Sequence, residues 1–516
     1  MPSLSHLRPA RSRAILGAVV AALALLASGG AATASTTQES IMQDDRVLYT
    51  MGPQAQGLAL DQMAALGVDT LHTLVTWRGL APDQDATKPP RGFRGDDPAA
   101  YPLDRWNPLD DVVRGATARG LQVLITVTGP APRWADTCPS SERRRFNSGT
   151  CRPSAAKFGQ FAEAVARRYS GGYPDETGEG ALPAVRRWSF WNEPNLNAWL
   201  SPQTAKSGRR TVMKGVSMYR SIVTAGAAGL RAAGHRGDQV LLGETAPIVP
   251  RSRGTAPVSF YRALFCVDSR GRKLRGNAAR DVGCSKPRRL PVNGVAHHPY
   301  TRGAGDELYK KQASGDITIA YLARLRTVIA QGERSKLVAK GTSSKIYLTE
   351  FGVSSNPPGK RMSVPLDVQA EWINQADYIA YRDRSVRSVA QFGLEDDNSF
   401  RRDTFQTGLC FTDPPRPCFP KPAYHAYRVP IYVLHRGKNV LVYGQARPAL
   451  ADQRRLEIQN RPPGENQPWQ TVQTVDLSAT GHFLRTLPKR TGSWRLAWTP
   501  RPGQTFLSRE AVPRRR

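Results

Sequence analysis

Two glutamates stand at the ends of apolar, β-rich stretches. Glu193 lies in Trp188-Ser189-Phe190-Trp191-Asn192-Glu193-Pro194-Asn195, and Glu350 in Lys345-Ile346-Tyr347-Leu348-Thr349-Glu350-Phe351-Gly352. Pro194 has no N–H to give to a ladder, so the strand before it stops there, with Asn192 and Glu193 at its carboxyl end. Taken alone, a glutamate on an apolar strand can be the buried partner of an arginine. Two of them, delivered by two strands of one sheet, suit a reaction that needs two carboxyl groups flanking one bond. Hydrolysis of a glycosidic bond is such a reaction. With the carboxyls roughly 5–5.5 Å apart, one attacks the anomeric carbon while the other protonates the leaving oxygen. Their surroundings must then separate their proton affinities, so that Glu193 holds a proton while Glu350 is ionised.

The elements that position them repeat one unit from about Arg46 to Val429: a short apolar strand, a loop, an amphipathic helix. The predicted strands are Val47–Met51, Thr70–Trp77, Gln122–Thr128, Arg186–Trp191, Val240–Glu244, Gly294–His298, Lys345–Phe351 and Val389–Leu394. Helical patterns cover Leu58–Leu66, Pro108–Arg119, Ala155–Tyr169, Val216–Ala233, Ile317–Gln331 and Leu366–Tyr381. Eight strands alternating with helices call for parallel pairing and crossover connections. Closing them into a (β/α)₈ barrel removes both edges and puts the site at the carboxyl ends of the strands. An open doubly wound sheet is the alternative, but no glycine-rich phosphate loop follows the first strand. The expected class is therefore α/β, a barrel over residues 35–430. Beyond it, Asn439–Ala446, Arg454–Gln459, Thr471–Leu477, His482–Thr486 and Ser493–Thr499 alternate apolar and polar residues. That pattern predicts a small antiparallel β-sandwich over 431–507, packing against the barrel or binding carbohydrate. Residues 508–516 form a basic tail, expected to be disordered from Pro513.

Arg8, Arg11 and Arg13 precede an apolar run from Ala14 to Ala27, and Ala32-Thr33-Ala34 supplies small residues for cleavage. This order reads as a secretory signal peptide over 1–34. The run is shorter than the roughly 20 apolar residues of a spanning helix, so a secreted chain without stable membrane insertion is expected. Six cysteines fit export and fall as sequence neighbours, Cys138 with Cys151, Cys266 with Cys284 and Cys410 with Cys418. Fifteen connectivities are open, and local pairing would staple each polar loop. The formal net charge is +31, to which the leader contributes its three arginines. Such a surface is either a compositional habit or an attraction to an anionic polysaccharide or cell-wall polymer. Nucleic acid is not an expected partner, since no binding module is recognisable.

Trp77 and Trp134 follow the second and third strands, and Trp199 follows Glu193. Aromatic faces stack on sugar rings, so each is a candidate subsite wall or a piece of rim packing. Glu244, ending the fifth strand, could contact sugar hydroxyls or pair with a loop arginine. His297 and His298 are adjacent on a strand and point to opposite faces, so they do not chelate one ion easily. No metal or other cofactor is expected, and the expected partner is a carbohydrate substrate.

The Asn-Glu-Pro strand end, followed three strands later by Thr-Glu-Phe-Gly, resembles clan A of the glycoside hydrolases. Trp-Asn-Glu-Pro-Asn resembles family 39 and related branches of family 5 in particular. In that clan the acid/base follows strand 4 and the nucleophile strand 7, the positions of Glu193 and Glu350. The resemblance implies retention of anomeric configuration and a contact from Asn192 to the sugar 2-hydroxyl. It also implies a role for His298-Pro299-Tyr300, with Tyr300 hydrogen-bonding the nucleophile. Two positions depart from the pattern. Strand 2 offers His72 where the clan often has an arginine, and strand 8 has no tryptophan, with Phe392 as a substitute. The expected function is a secreted retaining glycoside hydrolase. The alternatives are a non-catalytic carbohydrate-binding cell-surface protein on a barrel scaffold, or a transglycosylase.

Overall fold

A computed structural model describes residues 38–177, 180–250, 252–397, 405–413, 416–449 and 451–515. The expected leader lies outside them. Eight parallel strands close into a barrel, each paired with its sequence neighbour and the last with the first. They are β1 Glu39–Gln43, β2 Thr70–Thr76, β3 Gln122–Thr128, β4 Arg187–Phe190, β5 Gln239–Thr245, β6 Gly294–His297, β7 Ile346–Leu348 and β8 Val386–Phe392. Both faces of such a sheet are covered, so the strands read as near-continuous apolar runs. Inside the barrel Ile41, Leu124, Leu241, Ala296 and Ala390 form an apolar plug. Outside, the helices Leu103–Ala118, Ala155–Arg168, Lys214–Ala232, Leu322–Arg334 and Leu366–Tyr381 bury their apolar stripes against it.

The first strand is not where the sequence pattern places it. Val47–Met51 has strong β-formers, yet Asp45–Thr50 is a helix and the strand is Glu39–Gln43. Asp44 decides this locally. Its Oδ1 accepts the N–H of Val47, capping the helix, while its Oδ2 accepts the N–H groups of Leu394 and Glu395 at the end of β8. One carboxylate thus starts a helix and ties the closing strand pair β1–β8, whose register runs from Glu39–Ser388 to Gln43–Phe392. The predicted helix at Ile317 begins later, at Leu322, after a 3₁₀ turn over Ile319–Tyr321.

The C-terminal strands are β9 Ile431–Arg436, β10 Asn439–Gln445, β11 Arg455–Arg461, β12 Gln470–Asp476, β13 His482–Pro488, β14 Ser493–Arg501 and β15 Gln504–Leu507. They form two antiparallel sheets, ordered β9-β10-β13 and β12-β11-β14-β15. Val433, Val442 and Phe483 from one sheet meet Ile458, Trp494 and Trp498 from the other in a shared core. The described part of the tail, through residue 515, is paired to the sheet rather than disordered as expected. Arg514 donates its N–H to Val433 and accepts that of His435, and its guanidinium pairs with Glu371 at 2.6 Å. An edge strand presents unpaired N–H and C=O groups, and here the chain end satisfies them. All three disulfides join sequence neighbours, Cys138–Cys151, Cys266–Cys284 and Cys410–Cys418.

Candidate active site

At the end of β4 the backbone leaves the sheet abruptly. Trp191 and Glu193 both have positive φ, 71° and 39°. Such conformations cost about 1–3 kcal/mol each and persist only when their surroundings hold them. Trp191 is held by its N–H on the Val127 carbonyl and its indole N–H on that of Trp199, 3.0 Å away. Its ring lies on Gly129, where a Cβ would come within 2.4 Å, so only glycine fits there. Asn192 donates its N–H to Thr128 Oγ1, and Glu193 donates its own to the Glu244 carbonyl. Asn195 then clamps the loop to the one after β5, donating to Ala246 and Thr255 carbonyls and accepting the Ala246 N–H. The Asn192 side chain is buried with its Oδ1 unpartnered.

Glu350 arrives from β7, and the two carboxylates meet at one atom. His298 Nδ1 lies 3.4 Å from Glu193 Oε1 and 3.4 Å from Glu350 Oε2. Those two oxygens are therefore at most twice that distance apart. Tyr300 donates its hydroxyl to Glu350 Oε2 at 3.3 Å. Burial works against a charged His298, but Glu350 and then Glu193, with a smaller part from Glu244, outweigh it and raise its pKa to about 9. The imidazole is thus a cation between two carboxyl groups at neutral pH. Burial pushes the Glu350 carboxyl up; the His298 cation pulls it back down, and Glu193 pushes it up again. The net shift is upward, to about 8, which runs against the sequence expectation of an ionised Glu350; ionisation there depends on His298 keeping its proton and on the Tyr300 hydroxyl. His297, on the opposite face, contacts Thr245 Oγ1 and the Ile317 carbonyl, and burial holds it neutral.

No protein-family model matches this chain, and no curated protein matches it. Among solved structures, Fpglu1 from Fervidobacterium pennivoraus is similar at 12% identity and a TM-score of 0.46, over 76% of this chain and 95% of that one. An endo-β-1,4-mannanase from Thermotoga petrophila is similar at 11% identity and a TM-score of 0.40, over 94% and 98%. A β-glucuronidase from Bacteroides uniformis is similar at 10% identity and a TM-score of 0.42; this chain spans 46% of its length. Similarity this slight assigns no activity, and the chemistry rests on the residues at the barrel mouth.

Several candidates for substrate contact lie elsewhere. Trp77 has no exposed surface: the chain turns into a short helix at the end of β2, and the ring stacks on Phe161 with Trp134 edge-on. Trp134 is buried with it, its indole N–H on the Pro82 carbonyl. Neither is a subsite wall. Trp199 is half-buried and packs against the core. His72 and Glu244 are fully enclosed inside the barrel, beneath Glu193 and Glu350, with no surface open to a ligand. His298 also sits below the carboxylates rather than in the open mouth.

One residue of the mouth has no signal in the sequence. Phe405 is 41% exposed, its ring 5.3 Å from that of Tyr300 and perpendicular to it. With Phe392, 6.3 Å from Tyr300, it builds an aromatic wall beside Glu350. Phe392 is the substitute suggested by strand position, yet Phe405, returning from the loop after β8, carries the open face. Chain spacing alone does not place a residue on a returning loop.

Proposed function

We propose that this chain is an exported retaining glycoside hydrolase of the clan A type, with Glu350 as nucleophile and Glu193 as general acid/base. The observation that carries the reading is the convergence of the two carboxylates on His298 Nδ1, 3.4 Å each, with the Tyr300 hydroxyl on Glu350. The shared contact keeps the two carboxyl groups close enough to flank one bond, and the reading takes them as the roughly 5–5.5 Å pair of a double displacement.

In the first step a Glu350 oxygen bonds to the anomeric carbon as the glycosidic bond breaks, and the leaving oxygen takes a proton from Glu193. In the second, Glu193 takes a proton from water whose oxygen bonds to the anomeric carbon, and the Glu350 ester bond breaks. Asn192 Oδ1 accepts from a sugar hydroxyl beside the reacting carbon, and Phe405 offers a ring for stacking. Export is supported by the disulfides, which persist in oxidising compartments. Among the described residues no helix is long and apolar enough to cross a membrane.

A panel of aryl glycosides tests this. Product followed by NMR should keep the anomeric configuration of the substrate. Glu350→Gln should lose turnover on every substrate cleaved, whereas Glu193→Ala should slow poor leaving groups far more than activated phenols, which need no proton. Inverted product, or an active Glu350→Gln, overturns the assignment.

A further inference from the structure

The hydrogen count beneath the two glutamates leaves two arrangements for His72 and Glu244. His72 Nδ1 lies 3.1 Å from the carbonyl oxygen of Thr349, which can only accept, so Nδ1 carries a hydrogen. His72 Nε2 lies 2.8 Å from Thr126 Oγ1, and Thr126 Oγ1 lies 2.8 Å from Glu244 Oε1. A threonine hydroxyl has one hydrogen to give. Given to a bare Nε2, it leaves the Glu244 contact in need of a hydrogen from Glu244. Given to Glu244, it requires Nε2 to carry its own hydrogen, and His72 becomes a cation. Both side chains are fully enclosed, and the second arrangement would separate charge inside that enclosure and set a second imidazolium near His298, so the first is the less costly; the downward shift of His72 agrees. Burial also pushes the Glu244 carboxyl up.

The other oxygen of Glu244 agrees. Glu244 Oε2 and His298 Nε2 are both buried without a hydrogen-bond partner, 3.9 Å apart. With the acid hydrogen on Oε1, Oε2 is a carbonyl oxygen, and it faces the N–H that a protonated His298 carries on Nε2. The contacts from the Thr349 carbonyl to Glu244 Oε1 then each hold one hydrogen, while the His298 N–H faces Glu244 Oε2 across 3.9 Å, beyond hydrogen-bond distance.

We propose that Glu244 is a buried neutral carboxylic acid, a positioning residue that donates through Thr126 to His72 and supports His298 from below. The titratable groups around it are His72 from β2, Glu193 beyond β4, His298 beyond β6, Glu350 beyond β7, and Tyr219 and Tyr261 from the outer helices. Burial keeps both tyrosines neutral. A neutral Glu244 leaves the charge of His298 to Glu193 and Glu350, whereas an ionised one would compete for it. The consequence for turnover rests on the glycosidase reading; the protonation state itself does not.

Infrared difference spectra of the full chain, without substrate and at neutral pH, test this against the Glu244→Gln variant. The variant should lose the carbonyl band of a protonated carboxylic acid. The NMR titration of His298 should keep its midpoint within about half a pH unit of wild type. Loss of a carboxylate stretch instead, or a midpoint lower by about one unit or more, as removal of an adjacent anion would cause, overturns the proposal. Thr126→Val covers a variant that fails to fold, since it keeps the acid and removes its acceptor. Its acid band should move to higher frequency, and an unmoved band also overturns the proposal. A chain that cleaved no glycoside would give the same spectra, so failure here and failure of the glycosidase reading are distinguishable.

Discussion

In an unfolded chain a histidine titrates near 6.5, while His298 in the barrel keeps its proton to about 9. The folded state therefore binds the proton more tightly, so the stability it contributes is complete below pH 6.5 and is lost as pH rises through about 9. Glu350, whose carboxyl is also pushed up, adds a loss of the same sign as pH rises. Thermal unfolding followed between pH 6 and 10 should show a falling midpoint over that window, and His298→Ala should flatten the fall. A midpoint that rises across the window would mean that His298 is neutral in the fold. Activity should decline over the same range, because loss of the imidazolium removes the cation shared by Glu193 and Glu350.

At the scale of elements, one buried side chain closes the barrel. Asp44 accepts three N–H groups, from Val47, Leu394 and Glu395. An unmet buried hydrogen bond costs roughly 1–3 kcal/mol, and all three of these are buried, so about 3 kcal/mol is the lower end of the expected loss. Asp44→Ala should therefore lower unfolding stability by about 3 kcal/mol or more, measured by urea denaturation. Asp44→Asn should lose less, since Oδ1 remains an acceptor. Equal losses would show that charge rather than hydrogen bonding carries the effect. The β5 strand relies on a similar local device. Gly243, with φ of 120°, sits in a bulge that turns Glu244 into the barrel, and a Cβ there would meet Tyr261 Oη at 2.3 Å.

Across the whole molecule, the C-terminal sheets are joined to the barrel by an apolar seam. Tyr378 and Tyr381 of the helix Leu366–Tyr381 pack on Tyr432, Leu434, Leu441 and Tyr443. Beside them the buried Arg447 lies between Asp377 and the Tyr427 carbonyl. The +31 formal charge belongs to the same scale. Exposed charges more than roughly 8–10 Å apart are largely screened at 0.1–0.15 M ionic strength. Retention on an acidic polysaccharide column should fall steeply as salt rises through that range, while cleavage of a small neutral aryl glycoside changes little. Retention indifferent to salt would leave the basic surface without an anionic partner.

Much of this arrangement was legible before any coordinates. Period and spacing of apolar runs pointed to eight βα units, because strands buried on both faces and one-sided helices leave different patterns. Two strand-end motifs located Glu193 and Glu350, since a carboxylate at the carboxyl end of a barrel strand has few other uses. Sequence neighbours located the disulfides. The first strand was misplaced because β-propensity at Val47–Tyr49 competes with a cap at Asp44, and only contact with β8 decides between them. Trp77, Trp134, His72 and Glu244 read as mouth residues, yet a local helix turned the first away and a bulge drew the last inward. The column from Thr349 through His72, Thr126, Glu244 and His298 to Glu350 joins five strands with no common spacing. Sequence by itself determined which residues can do the chemistry. The tertiary structure decided which of them share protons, because distance in the barrel, unlike distance along the chain, sets the strength of charge and hydrogen bonding.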